Sequence, residues 1–363
     1  MVGRSDGPVE GEAVNPEVLA EWFERQGHRV VRTPTSWWYE ASGRVYQAFP
    51  FHWSIRPPED EVLGLLRTHR ALALRYSTPL DAPEGRVSYH AICTDREYGA
   101  RRLDSRARNA VKNGLSHARV ERVPLERVAE EGWAIEVDTC RRQGRALPMT
   151  RERWRRRYLA AAALPGFEAW GALVQGRLVA SMLCVRVDDW VEVLSQQSLA
   201  EFLTARVNNA LTFTFTEDAV RRPGVRAVFY TLQSLDAPAR VDEFKFRMGY
   251  LAAPLRQRVV VHPWALKAIL PASHRLLRAA LRLRPSSRWL AKAEGMLRFH
   301  EEGKLAAERQ EWPEVLREGK HTVRVPQEGY GVAAPDPLRA VSVFPPPGRG
   351  AVSDGASHDR AHP

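Results

Sequence analysis

Residues 167–195, FEAWGALVQGRLVASMLCVRVDDWVEVLS, decide the fold. This stretch contains three runs rich in Val, Leu and Met, over Phe167 to Val174, Leu178 to Val187 and Trp190 to Ser195. Two short polar turns separate the runs, Gln175-Gly176-Arg177 and Asp188-Asp189. Turns of this length join neighbouring antiparallel strands. The stretch therefore predicts a three-stranded meander.

Helices and strands alternate on both sides of this meander. Before it, the sequence predicts a strand over Leu115 to Val123, a helix opened by Pro124 and a basic helix that starts after Thr150. After it, the sequence predicts a helix over Thr204 to Arg221, a strand over Ala227 to Leu232, a helix over Ala237 to Met248 and a last strand over Gln257 to His262. The predicted order is β-α-α-β-β-β-α-β-α-β, which is a mixed α/β sheet.

The first hundred residues predict a smaller set of elements in the order β-β-β-α-β-β. They are strands over Val30 to Thr33, Trp37 to Glu40 and Val45 to Phe49, a helix over Glu59 to Arg70, and strands over Ala71 to Tyr76 and Val87 to Cys93. We interpret this half as an eroded copy of the second half.

The composition is that of a globular chain with a basic surface. Of 363 residues, 54 are Lys or Arg and 43 are Asp or Glu, so the net charge is +11, which favours phosphates, acidic substrates or anionic membranes as partners. Collagen-like, coiled-coil and wholly disordered classes are excluded. An apolar signal core and an apolar window long enough to span a membrane are both missing, so we expect a cytoplasmic location. The three cysteines (Cys93, Cys140 and Cys184) are scattered and predict neither a disulfide nor a metal site.

The basic charge is concentrated in three runs. Residues 96–127, 141–157 and 264–300 together carry +19, and the rest of the chain carries −8. Each run is either a solvated helix face or a surface that binds phosphate groups. Residues 1–15 and the Pro-rich and Gly-rich residues 326–363 are predicted to be disordered.

Four segments resemble acyltransferases when they are taken in chain order. Gly171 to Ala180 resembles the core hairpin of the GNAT superfamily, and Asn208-Asn209-Ala210-Leu211 is similar to the start of the helix after its fourth strand. Phe244-Lys245-Phe246-Arg247-Met248-Gly249-Tyr250 resembles the Phe-Lys-x-x-x-Gly-Phe/Tyr ending of FemAB-like (Fem-type) N-acyltransferases. Arg106 to Gly114 resembles the basic helix that precedes this domain in those relatives. The resemblance covers roughly residues 100 to 262 and implies a GNAT-like fold.

The resemblance also implies two GNAT-like lobes with a cleft between them. The predicted lobes are a degenerate one over residues 16–113 and an acyltransferase lobe over residues 114–262. Residues 263–325 are predicted to form a basic amphipathic helical extension. For an enzyme of this kind, we expect a mixed sheet whose central strands splay apart.

The implied reaction transfers an acyl group from an activated donor to an amine by direct attack, through a tetrahedral intermediate. Lys245 matches the lysine of the Fem-type motif, so the resemblance implies that it stabilises the developing negative charge. Arg240 and Arg247 flank it and are candidates for binding phosphate of the donor or acceptor. Glu192 lies among apolar strand residues and is the candidate general base, with an exposed strand face as the alternative.

Polar residues at the ends of predicted strands are the candidate substrate-binding groups. Gln196 and Gln197 follow the third strand of the meander, and Gln233 and Ser234 follow the strand that ends at Leu232. Their side chains are predicted to point out of the sheet into a cleft. His90 is predicted to be an ordinary core or surface histidine rather than a catalytic one.

The donor is the least determined part of the reaction. The GNAT pyrophosphate turn, Gln/Arg-x-x-Gly-x-Gly/Ala, has no match where it is expected, because residues 199–208 read LAEFLTARVN. Helix N-terminal amides near Ala205 to Asn208 remain available, and Asn208 and Asn209 are the candidate donor-binding residues. Acyl-CoA is the favoured donor. The Fem-type resemblance implies aminoacyl-tRNA as the alternative, and no metal is predicted.

A non-catalytic RNA-binding or membrane-surface protein is the rival interpretation. The case for RNA rests on charge alone, because aromatic residues are not interleaved through the basic runs as a stacking platform would require. Residues 264–283 combine leucines with arginines and suit an anionic headgroup layer, although packing onto the body of the protein is the alternative. The expected acceptor is an amine-bearing small molecule or a cell-envelope precursor, which would place the protein at the inner face of the membrane.

Overall fold

Eleven strands among the described residues form one mixed sheet, which confirms the predicted α/β class. In chain order they are β1 (Val30–Arg32), β2 (Trp37–Ser42), β3 (Val45–Phe49), β4 (Ala73–Thr78), β5 (Arg86–Cys93), β6 (Arg119–Val123), β7 (Phe167–Val174), β8 (Arg177–Val187), β9 (Trp190–Ser198), β10 (Ala227–Leu232) and β11 (Leu251–Val261). Their order in the sheet is β1-β2-β3-β4-β11-β5-β10-β9-β8-β7-β6.

The computed structural model describes residues 13–144, 146–233, 239–268, 288–319 and 321–323. These residues belong to the first of two units, Met1–Val332, and the second unit, Ala333–Pro363, lies outside them together with most of both predicted disordered ends. The described helices are α1 (Pro16–Arg25), α2 (Glu59–Thr68), α3 (Ser105–His117), α4 (Leu125–Arg142), α5 (Arg151–Ala162), α6 (Val207–Arg221), α7 (Ala239–Arg247), α8 (Pro263–Ala268), α9 (Arg288–Glu302) and α10 (Glu314–Glu318).

The two halves of the chain repeat one arrangement of strands. In the second half, β7, β8 and β9 form the predicted antiparallel meander, α6 follows, and β10 returns parallel to β9. In the first half, β1, β2 and β3 form a meander, α2 follows, and β4 returns parallel to β3. The described part of the first half is therefore a reduced copy of the second, without counterparts of β6, α4 and α5.

The halves exchange one strand each. The strand β5 of the first half pairs with β10 of the second half, and β11 of the second half pairs with β4 of the first. The two exchanged strands then pair with each other at the centre of the sheet. Both halves of the chain therefore share one continuous sheet, and the predicted lobe boundary between residues 113 and 114 does not divide the strands into two sheets.

Helices cover both faces of the sheet in the second half. Side chains three apart on β7 point to opposite faces. The Phe167 ring lies 5.3 Å from Trp22 of α1, and the Trp170 ring lies 6.0 Å from Phe215 of α6. We call these faces the Phe167 face, which carries α1, α4 and α5, and the Trp170 face, which carries α3 and α6.

The structure differs locally from the prediction in three places, the first being the last strand, predicted over Gln257 to His262, which begins at Leu251. The predicted strand over Leu115 to Val123 begins only at Arg119, because α3 continues to His117. The side chain of Asp104 caps α3 by accepting a hydrogen bond from the Ala107 amide. Helix α1 was not predicted, although Pro16 follows Asn15 at its start and the helix buries Trp22.

A close helix contact makes Gly114 sensitive to substitution. A Cβ atom at Gly114 of α3 would lie 2.6 Å from the Arg206 carbonyl oxygen and 2.8 Å from the Ala210 Cβ at the start of α6. We expect Gly114→Ala to lower the free energy of unfolding by about 1–3 kcal/mol in urea denaturation. Gly64→Ala in α2 is the control, since a Cβ there meets nothing within 4 Å and should stabilise by up to about 1 kcal/mol. Equal effects would contradict the close packing.

Candidate functional site

Two neighbouring parallel strands part at the centre of the second half. The strands β9 and β10 are paired through Trp190 with Ala227, Val191 with Val228 and Glu192 with Phe229, and both continue beyond this ladder. A wedge therefore opens between them from Val193 and Tyr230 onward. This is the splaying of central strands that the sequence interpretation requires.

Register irregularities lie at the root of the wedge on both strands. Leu194 of β9 is an extra residue, because the residues on either side of it pair with Cys184 and Leu183, which are adjacent in β8. Tyr230 of β10 is an extra residue in the same way, because the residues on either side of it pair with Ile92 and Ala91, which are adjacent in β5. Such bulges bend a strand and redirect its side chains. They allow β9 and β10 to diverge while each stays paired to its outer neighbour.

A cavity of about 300 Å³ occupies the wedge. It is lined by Thr139 and Arg142 of α4, Gln143 just after α4, Val193 to Ser198 of β9, Asn208 of α6, Tyr230 and Thr231 of β10, and Phe244 and Lys245 of α7. Because α4 covers the Phe167 face and α6 the Trp170 face, the cavity is reached by residues from both faces of the sheet. A larger cavity of about 540 Å³ beside β6 contains none of the predicted site residues.

Hydrogen bonds fix the amide groups that line the cavity. The Gln196 Oε1 accepts from the Tyr230 hydroxyl and from Thr212 Oγ1 at 3.2 Å, and its Nε2 lies 3.4 Å from Asn208 Oδ1. The Asn208 Nδ2 donates to Ser198 Oγ at 2.9 Å. Gln196 and Asn208 are therefore held in one orientation, which is a requirement for a preorganised binding site.

Lys245 reaches this cavity from α7 and is a buried cation. Its side chain is only 7% exposed, and its Nζ lies 5.8 Å from the centre of the Tyr230 ring. Burial raises the pKa of Tyr230 above its ordinary value, so the phenol stays protonated and donates to Gln196. A cation in such a site acts strongly on charge that forms beside it, because little water screens the interaction.

Of the predicted site residues, the structure brings together Lys245, Gln196, Gln197 and Asn208. Asn209 points to Met248 Sδ at 3.3 Å, and Arg247 forms an exposed 2.6 Å ion pair with Glu243. Ser234 and the side chain of Arg240 lie outside the described residues. Tyr230, Thr139 and Arg142 were missed, and their place in the wall depends on the bulges and on α4 packing, which motifs do not encode.

Glu192 is separated from the cavity and engaged by the first half. Its side chain is fully buried, so the alternative of an exposed strand face is wrong. The Glu192 Oε1 accepts from the backbone amide and the Nδ1 of His52, both at 2.8 Å, and the His52 ring stacks on Trp190 at 5.0 Å. The Glu192–His52 hydrogen bonds connect the segment after β3 to the last residue of β9 that pairs with β10.

Gln233 also lies outside the cavity, within a polar network. Its carbonyl accepts from Arg75 at 3.3 Å and from Gln257 at 3.2 Å, and its Oε1 accepts from Ser88 Oγ at 2.9 Å. Arg75 additionally donates to Gln257 Oε1. The network joins β4, β11, β5 and the end of β10, so these bonds hold the exchanged strands together.

The corresponding wedge of the first half is filled by the chain itself. The β3–β4 ladder ends with Gln47 paired to Arg75, and both strands continue. The segment that follows β3 turns back, and the Ile55 amide donates to the Ser77 carbonyl of β4 at 2.9 Å. The two wedges therefore differ, and the polar cavity belongs to the second half.

His90 contributes to stability rather than to the cavity. It is fully buried, and its Nε2 lies 2.9 Å from Ser77 Oγ. Burial lowers the pKa of His90 well below its ordinary value, and His52 and Arg75 lower it further. The unfolded chain therefore binds a proton that the folded chain does not as pH falls below about 6.5.

We accordingly expect the free energy of unfolding to decrease with acidification below pH 6.5, with His90 contributing at most about 1.4 kcal/mol per pH unit. Urea denaturation between pH 7 and pH 5 measures this slope. The His90→Gln variant should show a smaller decrease over the same interval, since it removes the titrating group. An identical slope in the two proteins would assign the acid sensitivity to other groups.

Two absences concern only the described part of the chain. Within those residues, no group of three or more His, Cys, Asp or Glu side chains is arranged to bind a metal ion. None of the helices placed there is long and apolar enough to cross a membrane. The three cysteines are buried as free thiols.

Comparisons with known proteins identify similar solved structures. No protein-family model matches the sequence, and no curated protein matches it. FemX is 11% identical with a TM-score of 0.49, covering 72% of this chain and 95% of that chain.

Two further solved structures are similar. The C-terminal domain of a putative lysylphosphatidylglycerol synthetase from Agrobacterium fabrum is 13% identical with a TM-score of 0.46, covering 70% of this chain and 91% of that chain. A tandem GNAT protein from the clavulanic acid biosynthesis pathway is 10% identical with a TM-score of 0.39, covering 70% and 98%. Because these sequence identities are so low, the similarity concerns the fold, and the chemistry of the site has to be argued from the residues of this chain.

Proposed function

We propose that this protein is an N-acyltransferase that holds an activated acyl donor in the cavity between β9 and β10. The observation that carries this proposal is the parting of two parallel strands around a polar cavity that reaches both faces of the sheet. Such a passage admits a donor from one face and an amine from the other, so that the two meet between the strands. Meeting in a fixed geometry is the main requirement of a direct transfer.

Acyl-CoA is the favoured donor because its arm carries amide groups. The cavity presents amides of the same kind, Gln196, Gln197 and Asn208, together with the hydroxyl group of Ser198. These groups can pair with the amides of the donor arm. The first turn of α6, which contains Asn208, supplies backbone amides for an anion just outside the wedge.

The transfer requires few groups. The neutral amine attacks the acyl carbon, a C–N bond forms, and the carbonyl oxygen becomes an oxyanion. When the intermediate collapses, the bond between the acyl carbon and the donor's leaving atom breaks, and the proton lost by the amine passes to the leaving group. Lys245 is the cation in the cavity wall that is placed to stabilise the oxyanion.

Aminoacyl-tRNA is the second candidate donor, and one feature favours it. The end of α4 that lines the cavity carries Arg142 beside Arg141, which is 80% exposed, and Arg151 and Arg153 on the next helix are exposed as well. Exposed arginines of this density suit a nucleic-acid backbone. A CoA donor needs far fewer cations than a tRNA donor.

A membrane-linked acceptor is compatible with either donor. Trp264 on α8 is 48% exposed, but residues 269–283 of the predicted membrane-binding segment lie outside the described residues. Flotation of the full chain with anionic and with neutral vesicles tests this association. Binding to anionic vesicles alone would favour a lipid-linked or cell-envelope amine, and binding to neither would favour a small-molecule amine.

Mass spectrometry of ligands that copurify with the native protein is the experiment that tests the proposed function. Recovery of CoA or an acyl-CoA, followed by acetyl-CoA titration in a calorimeter, would support the first donor. Recovery of tRNA would support the second. If neither is recovered and neither binds when added, the protein is not an acyltransferase of this type.

A further inference from the structure

Arg157 is a half-buried cation without a carboxylate partner among the described residues. It lies on α5 of the Phe167 face, and its Nε is buried and makes no hydrogen bond. Among the described residues, its side chain makes a long 3.4 Å contact to the Leu194 carbonyl and a 5.5 Å cation–π contact with Trp22. Buried charges in proteins are normally paired, because an unpaired one loses its hydration without compensation.

The neighbouring arginines of α5 are paired, which sets Arg157 apart. Arg155 forms a 2.6 Å ion pair with Glu130, and Arg156 a 3.3 Å ion pair with Glu152. Both of these arginines are about half exposed, so water solvates their charge. Arg157 is thus the cation of this helix that water reaches least, and it lacks an acidic partner among the described residues.

A second cation approaches the same place from the first half of the chain. Burial raises the pKa of Tyr39 to about 12, while the guanidinium groups of Arg75 and Arg157 both act to lower it. Tyr39 of β2 is in register with Gln47 of β3, which is in register with Arg75 of β4, and the Tyr39 ring stacks on Phe23 of α1. Phe23 is the neighbour of Trp22, over which the Arg157 guanidinium lies, so Arg75 and Arg157 approach the Tyr39 ring from different elements. Together they make a positive, partly dehydrated site where the two halves meet.

This positive site adjoins the cavity from the face opposite Lys245. The Leu194 carbonyl that Arg157 contacts belongs to the bulge residue of β9, which lines the cavity. Lys245 contacts Tyr230, whose ring lies 5.0 Å from Tyr250, and Tyr250 bonds Thr216 of α6 on the Trp170 face. The two cations therefore stand on different faces of the sheet with the wedge between them.

We propose that Arg157, with Arg75 and the Tyr39 hydroxyl, forms a subsite for an anionic group on the acceptor amine, either a carboxylate or a phosphate. The anion supplies the counter-charge that Arg157 lacks, and the amine at the other end of the acceptor then points past Leu194 into the wedge. This inference rests on the proposed function. It narrows the substrate to amines that carry a negative charge.

The first arm of the test measures anion binding and needs no acyl transfer. The full chain is titrated calorimetrically with inorganic phosphate and, separately, with glutarate. We expect the wild type to bind at least one of them, and Arg157→Gln to weaken that binding about ten-fold or more, as expected for the loss of a charge-assisted hydrogen bond. Arg156→Gln is the matched control on the same helix. Equal binding by the wild type and Arg157→Gln would overturn the subsite.

The second arm measures transfer from acetyl-CoA to paired amines, 4-aminobutyrate against butylamine and phosphoethanolamine against ethanolamine. We expect the wild type to prefer the anionic member of a pair in kcat/KM. Arg157→Gln should reduce that preference at least ten-fold, and Arg157→Lys should recover part of it. A preference for the neutral amines would contradict the proposal even if Arg157→Gln did not fold.

The two arms separate the subsite from the proposed function. Anion binding that depends on Arg157, without transfer to any amine, would keep the subsite and refute the acyltransferase. Transfer without preference for anionic amines would keep the acyltransferase and refute the subsite. Which anion binds more tightly in the first arm distinguishes a carboxylate acceptor from a phosphate acceptor.

Discussion

Replacing Lys245 by alanine is expected to lower the rate of acyl transfer by about 10²- to 10³-fold. This is the usual loss when one group that stabilises an oxyanion is removed. Lys245 is 7% exposed in the cavity wall, so its charge acts in a poorly hydrated space where it is worth more than in water. The loss should appear in kcat more than in KM, because the oxyanion exists only after attack.

Arg247→Ala provides the matched control for this prediction. Arg247 lies two residues away on α7, is half exposed and pairs with Glu243 at the surface. We expect its removal to change kcat less than two-fold. Far-UV circular dichroism and a melting curve establish that both variants are folded. If Lys245→Ala retained the wild-type rate with an established donor and amine, Lys245 would not stabilise the oxyanion.

Much of the fold was predictable because it depends on local signals. The turns at Gln175-Gly176 and Asp188-Asp189 bound strands β7, β8 and β9 as predicted, and Gly249 ends α7. The pairing of β5 with β10 and of β11 with β4 was not predictable in this way. It joins residues more than 130 positions apart, and hydrophobic periodicity describes a strand without naming its partner.

The residues of the candidate site were likewise predictable where they depend on local signals and not where they depend on tertiary contacts. Gln196 and Lys245 were found from a strand end and a family motif, and the structure places both in one cavity wall. Tyr230 was missed because its contact with Gln196 depends on the extra residue in β10. Glu192 was chosen for its apolar neighbours, but its carboxylate is bound by His52, a residue 140 positions earlier.

The basic charge of the chain divides into paired and unpaired parts. In the run 141–157, surface partners offset Arg141, Arg155 and Arg156, and each of these ion pairs contributes little to stability. Arg142 donates to the Ser198 carbonyl at 3.1 Å in the cavity wall, and Arg157 adjoins the cavity. The arginines of this run that lie beside the wedge are therefore Arg142 and Arg157, whereas the ion-paired Arg141, Arg155 and Arg156 lie at the helix surface.

The largest loss of stability is expected from Arg222→Leu. Glu168 of β7 is 2% exposed, and its Oε1 lies 2.8 Å from the Arg222 guanidinium. Burial alone would lower the pKa of Arg222, but Glu168 and Asp218 raise it, so the guanidinium is the charge that both carboxylates share. Without Arg222, Glu168 keeps only Arg122 at 3.4 Å. Stranding a buried carboxylate costs about 3–5 kcal/mol of unfolding free energy, measured by urea denaturation.

Replacing the other member of the ion pair, and then both members together, isolates the contribution of the Glu168–Arg222 interaction to stability. Glu168→Leu should cost less than Arg222→Leu, because Asp218 still pairs with Arg222 at 2.6 Å. The double variant should recover part of the loss, since no charge is left stranded. A double variant that recovers none of the loss would instead indicate that Arg222 acts mainly through the packing of its aliphatic stem.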